Sequence, residues 1–306
     1  MNGTERNAKL KNLRFDPVLR RRRTEWLVTL PTLAWLTLFI VVPTLLVFLI
    51  AFRPATPYGG IGAGWTLDTV RALWTPSYLA LAWRTLWISL LTTALCLVLA
   101  LPTGYTIARA REKWRNRLLM LVIVPFWTSF LVRVFAWKSL LHPEGPVKKA
   151  LEALGLVGPE TTLLYHPAAV VLVMVYTFLP FTILPVYAAA EKFDFRLVEA
   201  ARDLGARPFQ AFWRVFLPGI RRGVLTAVLV VFIPALGSYI IPDLVGGPGS
   251  EMLGNKIAQR VFTDRNLPHA AALSAVLVLA VLAPLVAVLT LQRKSRKADI
   301  IMGEAP

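Results

Sequence analysis

The sequence predicts an all-α integral membrane protein with six transmembrane helices. Of its 306 residues, 56% are hydrophobic and only 17% are charged, and six uncharged or nearly uncharged runs are long enough to cross a bilayer. Soluble domains carry about 25% charged residues, and a hydrocarbon core of roughly 30 Å needs about 20 helical residues. Helices are expected because a lone span in lipid must satisfy its backbone hydrogen bonds internally.

The predicted spans occupy six ranges of the chain. In order, they are 26–52, 85–108, 118–140, 167–190, 223–242 and 270–292. The third contains Arg133 and Lys138 near its end, and the other five contain no charged residue. We therefore expect one six-span domain over residues 26–292.

The distribution of Lys and Arg predicts the orientation. The segment 1–25, the connections after the second and fourth spans, and the tail 293–306 together carry 24 of the 34 basic residues. Short loops rich in Lys and Arg stay in the cytoplasm. We therefore expect a basic cytoplasmic N-terminal segment, a cytoplasmic C-terminal tail and a multi-pass location in the cytoplasmic membrane. The net charge of +17 then reflects this topology, and the basic residues are also expected to contact anionic lipid. No nucleic-acid partner is expected.

The connection after the fourth span, residues 191–222, is too structured for a passive linker. Asp194 is a suitable N-cap for a helix over 195–204, and Gly205 suits the left-handed position after it. Pro208 fits the first turn of a second helix. Four aromatic residues then recur at helical spacing, which predicts one apolar face: Phe209, Phe212, Trp213 and Phe216.

The same connection carries a spaced motif. Glu199-Ala200-Ala201 is followed after three residues by Gly205, and after nine more by Val215-x-Leu217-Pro218. This pattern resembles the EAA signature of ABC importer permeases, with Val215 where Ile is usual. Its place between the second- and third-last spans agrees with that family. We call residues 191–222 the signature loop.

This resemblance implies a type I ABC importer permease fold in which the signature loop docks on a cytoplasmic ATPase dimer. The positions that it assigns to ATPase coupling are Glu199, Ala200, Ala201, Asp203, Gly205, Leu217 and Pro218. The sequence has no GxxxxGK[ST] stretch, so ATP and Mg²⁺ are expected on the partner ATPase. We expect no catalytic residue, metal centre or cofactor in this chain. A second, related permease subunit and an extracytoplasmic solute-binding protein are the other implied partners.

Further stretches resemble the polyamine-type permeases for putrescine and spermidine. They are residues 125–133, 136–137, 231–235, 241–247, 255 and 264–268. The resemblance implies import of a polyamine. A permease for another small solute and an ATP-independent carrier or channel remain alternatives, although the spans lack the acidic residues that ion-coupled carriers place at mid-membrane. A membrane enzyme is not expected, because the three histidines lack HExxH spacing.

A path for a polycation should offer carboxylates and aromatic faces. The candidates for the substrate path or gate are Phe126, Trp127, Arg133, Trp137, Tyr176, Tyr239, Asp243 and Glu251. For the aromatic residues, a place in the lipid-facing belt or in helix packing is the competing interpretation. Arg133 is expected either to pair with Asp243 or to extend to the outer interface.

Overall fold

The structure of the protein, a computed structural model, describes residues 29–56 and 59–303, with only the helical backbone for 287–289 and 291–303. The predicted segment 1–25 and the first three residues of the first predicted span lie outside the described residues. Over the described ranges the chain is helical, with one isolated bridge between Ala55 and Ile61 and no β-strand. The all-α prediction is confirmed.

The helices follow one another closely along the chain. In order, they are α1 (Thr29–Ala51), α2 (Asp68–Ala72), α3 (Pro76–Arg109), α4 (Glu112–Ile123), α5 (Phe130–Leu141), α6 (Pro146–Ala153), α7 (Pro167–Glu191), α8 (Arg196–Asp203), α9 (Pro208–Gly219), α10 (Arg221–Leu236), α11 (Ile240–Val245), α12 (Leu253–Phe262) and α13 (Leu267–Gly303). Residues Val124–Trp127 and Pro248–Ser250 form short 3₁₀ turns.

By length and composition, four of the described helices could cross a membrane alone: α1, α3, α7 and the Leu267–Val286 part of α13. Two further candidates are bent pairs. Glu112–Trp127 and Phe130–Ala153 meet at 90°, and Pro208–Gly219 and Arg221–Leu236 meet at 76°. The chain therefore has four candidate spans, or six if each bent pair counts as one.

The prediction of a continuous third span over 118–140 was wrong. Helix α4 ends at Ile123, a 3₁₀ turn follows, and Thr128 and Ser129 adopt extended backbone angles before α5 begins. Pro125 supplies no backbone N–H for an α-helical bond and restricts the residue before it, so the helix breaks here. The 90° bend turns the second half of this segment away from the direction of the first.

The prediction of a continuous fifth span over 223–242 was also wrong. Helix α10 ends at Leu236, and α11 begins at Ile240 after a non-helical stretch. Gly237 follows the last helical residue, a position where glycine is favoured. Pro242 lies in the first turn of α11, where it needs no N–H partner.

Helices α3, α7 and α10 pack closely along their lengths. At Gly104 of α3, an added Cβ atom would lie 2.7 Å from Val186 Cγ1 of α7. At Gly223 of α10, it would overlap the Cβ atom of Ala189 of α7. The two glycines allow the backbones to approach closely, as small residues do between membrane helices. Buried cores lie toward both ends of α7, one beside the signature loop and one beside α5 and α11.

Candidate functional site

The signature loop folds as two helices joined by a sharp bend. The Asp194 carboxylate accepts a hydrogen bond from the Arg196 backbone N–H at 3.0 Å, at the start of α8. Gly205 has φ +89°, a left-handed conformation that ends α8. Pro208 is the first residue of α9. The predicted bend and second helix are confirmed, whereas the predicted N-cap was wrong: Phe195 is the N-cap of α8 and Asp194 precedes it.

The rings of the four aromatic residues of α9 contact one another, as the predicted apolar face requires, but they are not equally buried. Residues Phe212–Phe216 are π-helical, and the i→i+5 bonds of a π-helix change the angle between successive side chains. Phe216 is fully buried and Phe212 is half-buried, whereas Phe209 and Trp213 are 73% and 48% exposed. Only half of the aromatic set packs against the rest of the chain.

The buried half of this set joins an aromatic cluster centred on Tyr105 of α3. The Tyr105 ring meets the rings of Phe195, Phe212 and Phe216 edge-on, at centroid distances of 5.6, 5.5 and 4.9 Å. Phe193 contacts Phe195 and Phe216, at 5.4 Å from each. Edge-on aromatic pairs add favourable quadrupole interactions to the burial of their area. The signature loop is thus attached to the end of α3 by this Tyr105 cluster.

The seven predicted coupling residues differ in exposure. Glu199, Ala200, Asp203, Gly205 and Pro218 are exposed. Ala201 and Leu217 are half-buried, and Ala201 packs against the core beside the loop. Leu204, between Asp203 and Gly205, is 90% exposed. The loop therefore presents a surface of mixed polarity around its bend.

We expect Gly205→Ala to destabilise the bend more than Gly205→Asn. Within the described part of the chain, no atom lies within 4 Å of a Cβ atom added at Gly205, so the cost is backbone strain at φ +89°. For a residue other than Gly or Asn this left-handed conformation costs about 1–2 kcal/mol. The midpoint of thermal unfolding in detergent should fall for the Ala variant and less for the Asn variant. An Ala variant as stable as the wild type would contradict this account.

A separate cavity of about 570 Å³ lies beside α11 and α12. Three of the predicted substrate-path residues line it together: Tyr239, Asp243 and Glu251. Its other lining residues are Tyr165, Pro242, Gly246, Gly247, Pro248, Asn255, Lys256, Ala258, Gln259, Phe262 and Thr263. The acidic pocket, as we call it, thus places two carboxylates and two tyrosines around one space.

The walls of the acidic pocket are held by side chains of α3 and α12. The Asn255 amide oxygen accepts from the Met252 N–H at 3.1 Å, and its nitrogen donates to the Tyr239 carbonyl at 2.9 Å. The buried Thr85 hydroxyl of α3 accepts from the Leu253 N–H at 2.8 Å. These bonds join the start of α12 to α3 and to the residue before α11.

Sequence reasoning did not place several polar residues of the acidic pocket in the substrate path, among them Tyr165, Lys256 and Gln259. The Lys256 ammonium donates to the Gln259 side chain at 2.7 Å. Positions 255, 256, 259 and 263 share one face of a helix, so the spacing offered a signal for the two residues of α12. Tyr165 comes from a distant connection, and the bond from its N–H to the Val245 carbonyl at 2.8 Å brings it there.

The other five predicted path residues gather at the bend between α4 and α5 and on α7, not in the acidic pocket. Phe126 meets Phe181 of α7 at a centroid distance of 5.0 Å, and Trp137 meets Tyr176 at 5.3 Å. Trp127 is 77% exposed. The structure therefore divides the predicted path into the acidic pocket and an aromatic group at the bend.

The predicted pairing of Arg133 with Asp243 was wrong. Its guanidinium carbon lies 4.5 Å from the centre of the Phe126 ring, a cation–π contact. Its Nε and Nη1 atoms are buried and have no hydrogen-bond partner within the described part of the chain. Among the described residues it forms no ion pair with Asp243. The break at Pro125 folds Phe126 back toward α5, which makes the ring available to Arg133.

Comparison with known proteins assigns the chain to a transporter family. A family model described as "Binding-protein-dependent transport system inner membrane component" matches residues 100–296. The chain is 36% identical, over 79% of its length and 84% of the relative, to the spermidine/putrescine transport system permease protein PotB of Haemophilus influenzae. It is 35% identical to PotB of Escherichia coli K12, over 78% of this chain and 87% of the relative.

A solved structure has the same fold. It is the crystal structure of a bacterial alginate ABC transporter in complex with an alginate pentasaccharide-bound periplasmic protein. The TM-score is 0.66, over 93% of this chain and 98% of that one, at 19% identity, which supports the fold alone. The ABC importer permease fold predicted from the signature loop is confirmed. The chain belongs to the family of binding-protein-dependent transport system inner membrane components.

Proposed function

We propose that this protein is the permease subunit of an ATP-driven importer that brings a polyamine, putrescine or spermidine, into the bacterial cytoplasm. The acidic pocket supports the choice of a polyamine as the solute, because Asp243 and Glu251 line the same cavity as Tyr165 and Tyr239. The permeases that resemble the chain over four-fifths of its length carry the names of these two polyamines.

The chemistry of the acidic pocket suits a flexible polycation. Each ammonium group of a polyamine can donate charge-assisted hydrogen bonds to a carboxylate. The methylene segments between the ammonium groups can pack on the faces of Tyr165 and Tyr239, which also attract cations. The one basic residue of the pocket, Lys256, directs its ammonium to Gln259.

The signature loop provides the link to ATP. Its exposed Glu199, Ala200 and Asp203 and the bend at Gly205 form the surface that docks on an ATPase dimer, which binds ATP and Mg²⁺. Docking on the cytoplasmic side requires the predicted orientation, with both termini in the cytoplasm. One six-span domain is half of a translocator, so a second, related permease completes the path. An extracytoplasmic binding protein delivers the solute.

Uptake of labelled putrescine and spermidine tests this proposal. Membrane vesicles would contain this chain with its ATPase, second permease and binding protein, and Glu199→Ala would be measured beside the wild type. We expect uptake that requires ATP and falls at least about tenfold in the variant, since one charge-assisted contact contributes about 1.5–3 kcal/mol. The amount of the chain in the membrane serves as the control.

Two other results would reject parts of the proposal. ATP-dependent uptake of a different solute, with none of either polyamine, would keep the importer and reject the polyamine. Uptake that is indifferent to ATP and to Glu199→Ala would indicate a self-sufficient carrier or channel.

A further inference from the structure

We propose that Tyr105 and Arg109 are positioning residues for the signature loop: Tyr105 transmits movement of the loop to the membrane helix α3, and Arg109 orients the Glu199 carboxylate for docking. They lie one helical turn apart at the end of α3, and neither belongs to the signature motif. The inference rests on the proposed function, because it assumes that the signature loop is moved by a docked ATPase.

Arg109 connects the exposed signature residue Glu199 to α3. Its Nη2 atom lies 3.7 Å from Glu199 Oε1, and its Nη1 atom donates to the Tyr105 hydroxyl at 2.9 Å. Its guanidinium carbon is 5.7 Å from the ring centres of both Tyr105 and Phe195. The Arg109 side chain thus contacts Glu199 and Phe195 of the signature loop, and it also contacts Tyr105 of α3.

The contacts of Tyr105 are of a different kind. Its ring packs against Phe195, Phe212 and Phe216 of the signature loop, and Phe216 is fully buried. The partly buried rings pack closely around Phe216, and they resist separation because moving one ring opens a cavity around the others. The loop and the end of α3 should therefore move together rather than slide past each other.

The Arg109–Glu199 ion pair is easier to exchange. The side chains are 39% and 58% exposed, and exposed ion pairs contribute little to stability. A basic group on a docked partner can therefore replace Arg109 as the ion-pair partner of the Glu199 carboxylate at a small cost in free energy. Before docking, Arg109 holds the carboxylate at the surface in one orientation, and this preorganisation lowers the entropic cost of binding.

Movement delivered to α3 reaches the centre of the molecule. Helix α3 packs along α7, and Gly104, next to Tyr105, lies against Val186 of that helix. A rotation of the signature loop therefore displaces α3 against α7 and does not merely bend the loop. In this arrangement Tyr105 transmits the displacement and Arg109 orients the docking carboxylate.

The test measures coupling in the complete importer reconstituted in vesicles. The readouts are ATP hydrolysed per polyamine taken up, and the amount of ATPase that stays with the membrane. We expect Arg109→Ala to lower uptake about threefold to fivefold, as for loss of a weak ion pair, and Arg109→Lys to recover part of it. Arg109→Ala in a Glu199→Ala background should add nothing, because the two residues act through one contact.

Two substitutions test the ring and the hydroxyl group of Tyr105 separately. Tyr105→Phe keeps the ring cluster, and we expect uptake within about twofold of the wild type. Tyr105→Leu keeps an apolar side chain but loses the edge-on contacts, and we expect at least about a tenfold rise in ATP hydrolysed per solute, with the ATPase still bound. Arg117→Ala is the matched control, since Arg117 lies over Trp114 and not over the loop.

Four results would overturn the inference. These are an unchanged coupling ratio in Tyr105→Leu or unchanged uptake in Arg109→Ala, effects of Arg109→Ala and Glu199→Ala that multiply, the same losses in Arg117→Ala, and loss of the ATPase from the membrane in Tyr105→Leu. Failure of the proposed function is a separate result, because it is seen in the wild type. If the wild type imports another solute, the same ratios are measured with that solute.

Discussion

Replacing Asp243 and Glu251 together by Asn and Gln is expected to raise the polyamine concentration for half-maximal uptake by about a hundredfold. Both carboxylates line the acidic pocket. Each lost charge-assisted hydrogen bond to an ammonium group should cost about 1.5 kcal/mol, roughly a factor of ten in affinity. Asn and Gln keep the size of the side chains, so the loss reports charge and not packing.

The measurement is the concentration dependence of labelled putrescine and spermidine uptake in reconstituted vesicles. Each single variant should show about a tenfold effect. Glu160→Gln is the matched control, because Glu160 is an exposed carboxylate on another connection and does not line the acidic pocket. Equal concentration dependence in the double variant and the wild type would exclude the acidic pocket from the substrate path.

Gly223→Ala is expected to destabilise the membrane domain by about 1–3 kcal/mol, the usual cost of overpacking. The added methyl group would overlap the Ala189 methyl of α7 and lie 3.0 Å from the Pro185 carbonyl oxygen. Replacing Gly by Ala within a helix normally gains up to about 1 kcal/mol. A net loss would therefore report the contact between α10 and α7.

A compensating substitution makes this prediction specific. In the Ala189→Gly/Gly223→Ala double variant the methyl group has moved from one helix to the other, so part of the lost stability should return. The thermal unfolding midpoint of the purified protein in a mild detergent measures both changes. If Gly223→Ala were as stable as the wild type, the close approach of the two helices would be refuted.

The features that could be predicted from the sequence are local ones. The lengths of the apolar runs indicated the candidate spans, although only four of them are single helices. Asp194, Gly205 and Pro208 marked the ends of the signature-loop helices, because capping, left-handed backbone and a missing N–H are properties of one or two residues. Three members of the acidic pocket were also recognised by residue type and position in the chain.

Other features depended on contacts between distant parts of the chain. Hydropathy cannot distinguish a straight span from one that bends by 90° at Trp127–Phe130, because it reports how apolar the residues are and not the direction of the helix. Arg133 lies over Phe126 and not beside Asp243 because the bend decides which side chain is near. The π-helical turn at Phe212–Phe216 likewise changes which rings are buried.

The two links that matter most for the proposals span long separations in sequence. Arg109 meets Glu199 ninety positions later, and Tyr165 joins the wall of a pocket built mostly from residues 239–263. Composition, periodicity and motif spacing report the preferences of neighbouring residues, so they determined the membrane class, the candidate spans and the signature loop. Which distant side chains meet depends on close packing of whole helices, and only the folded chain decides it.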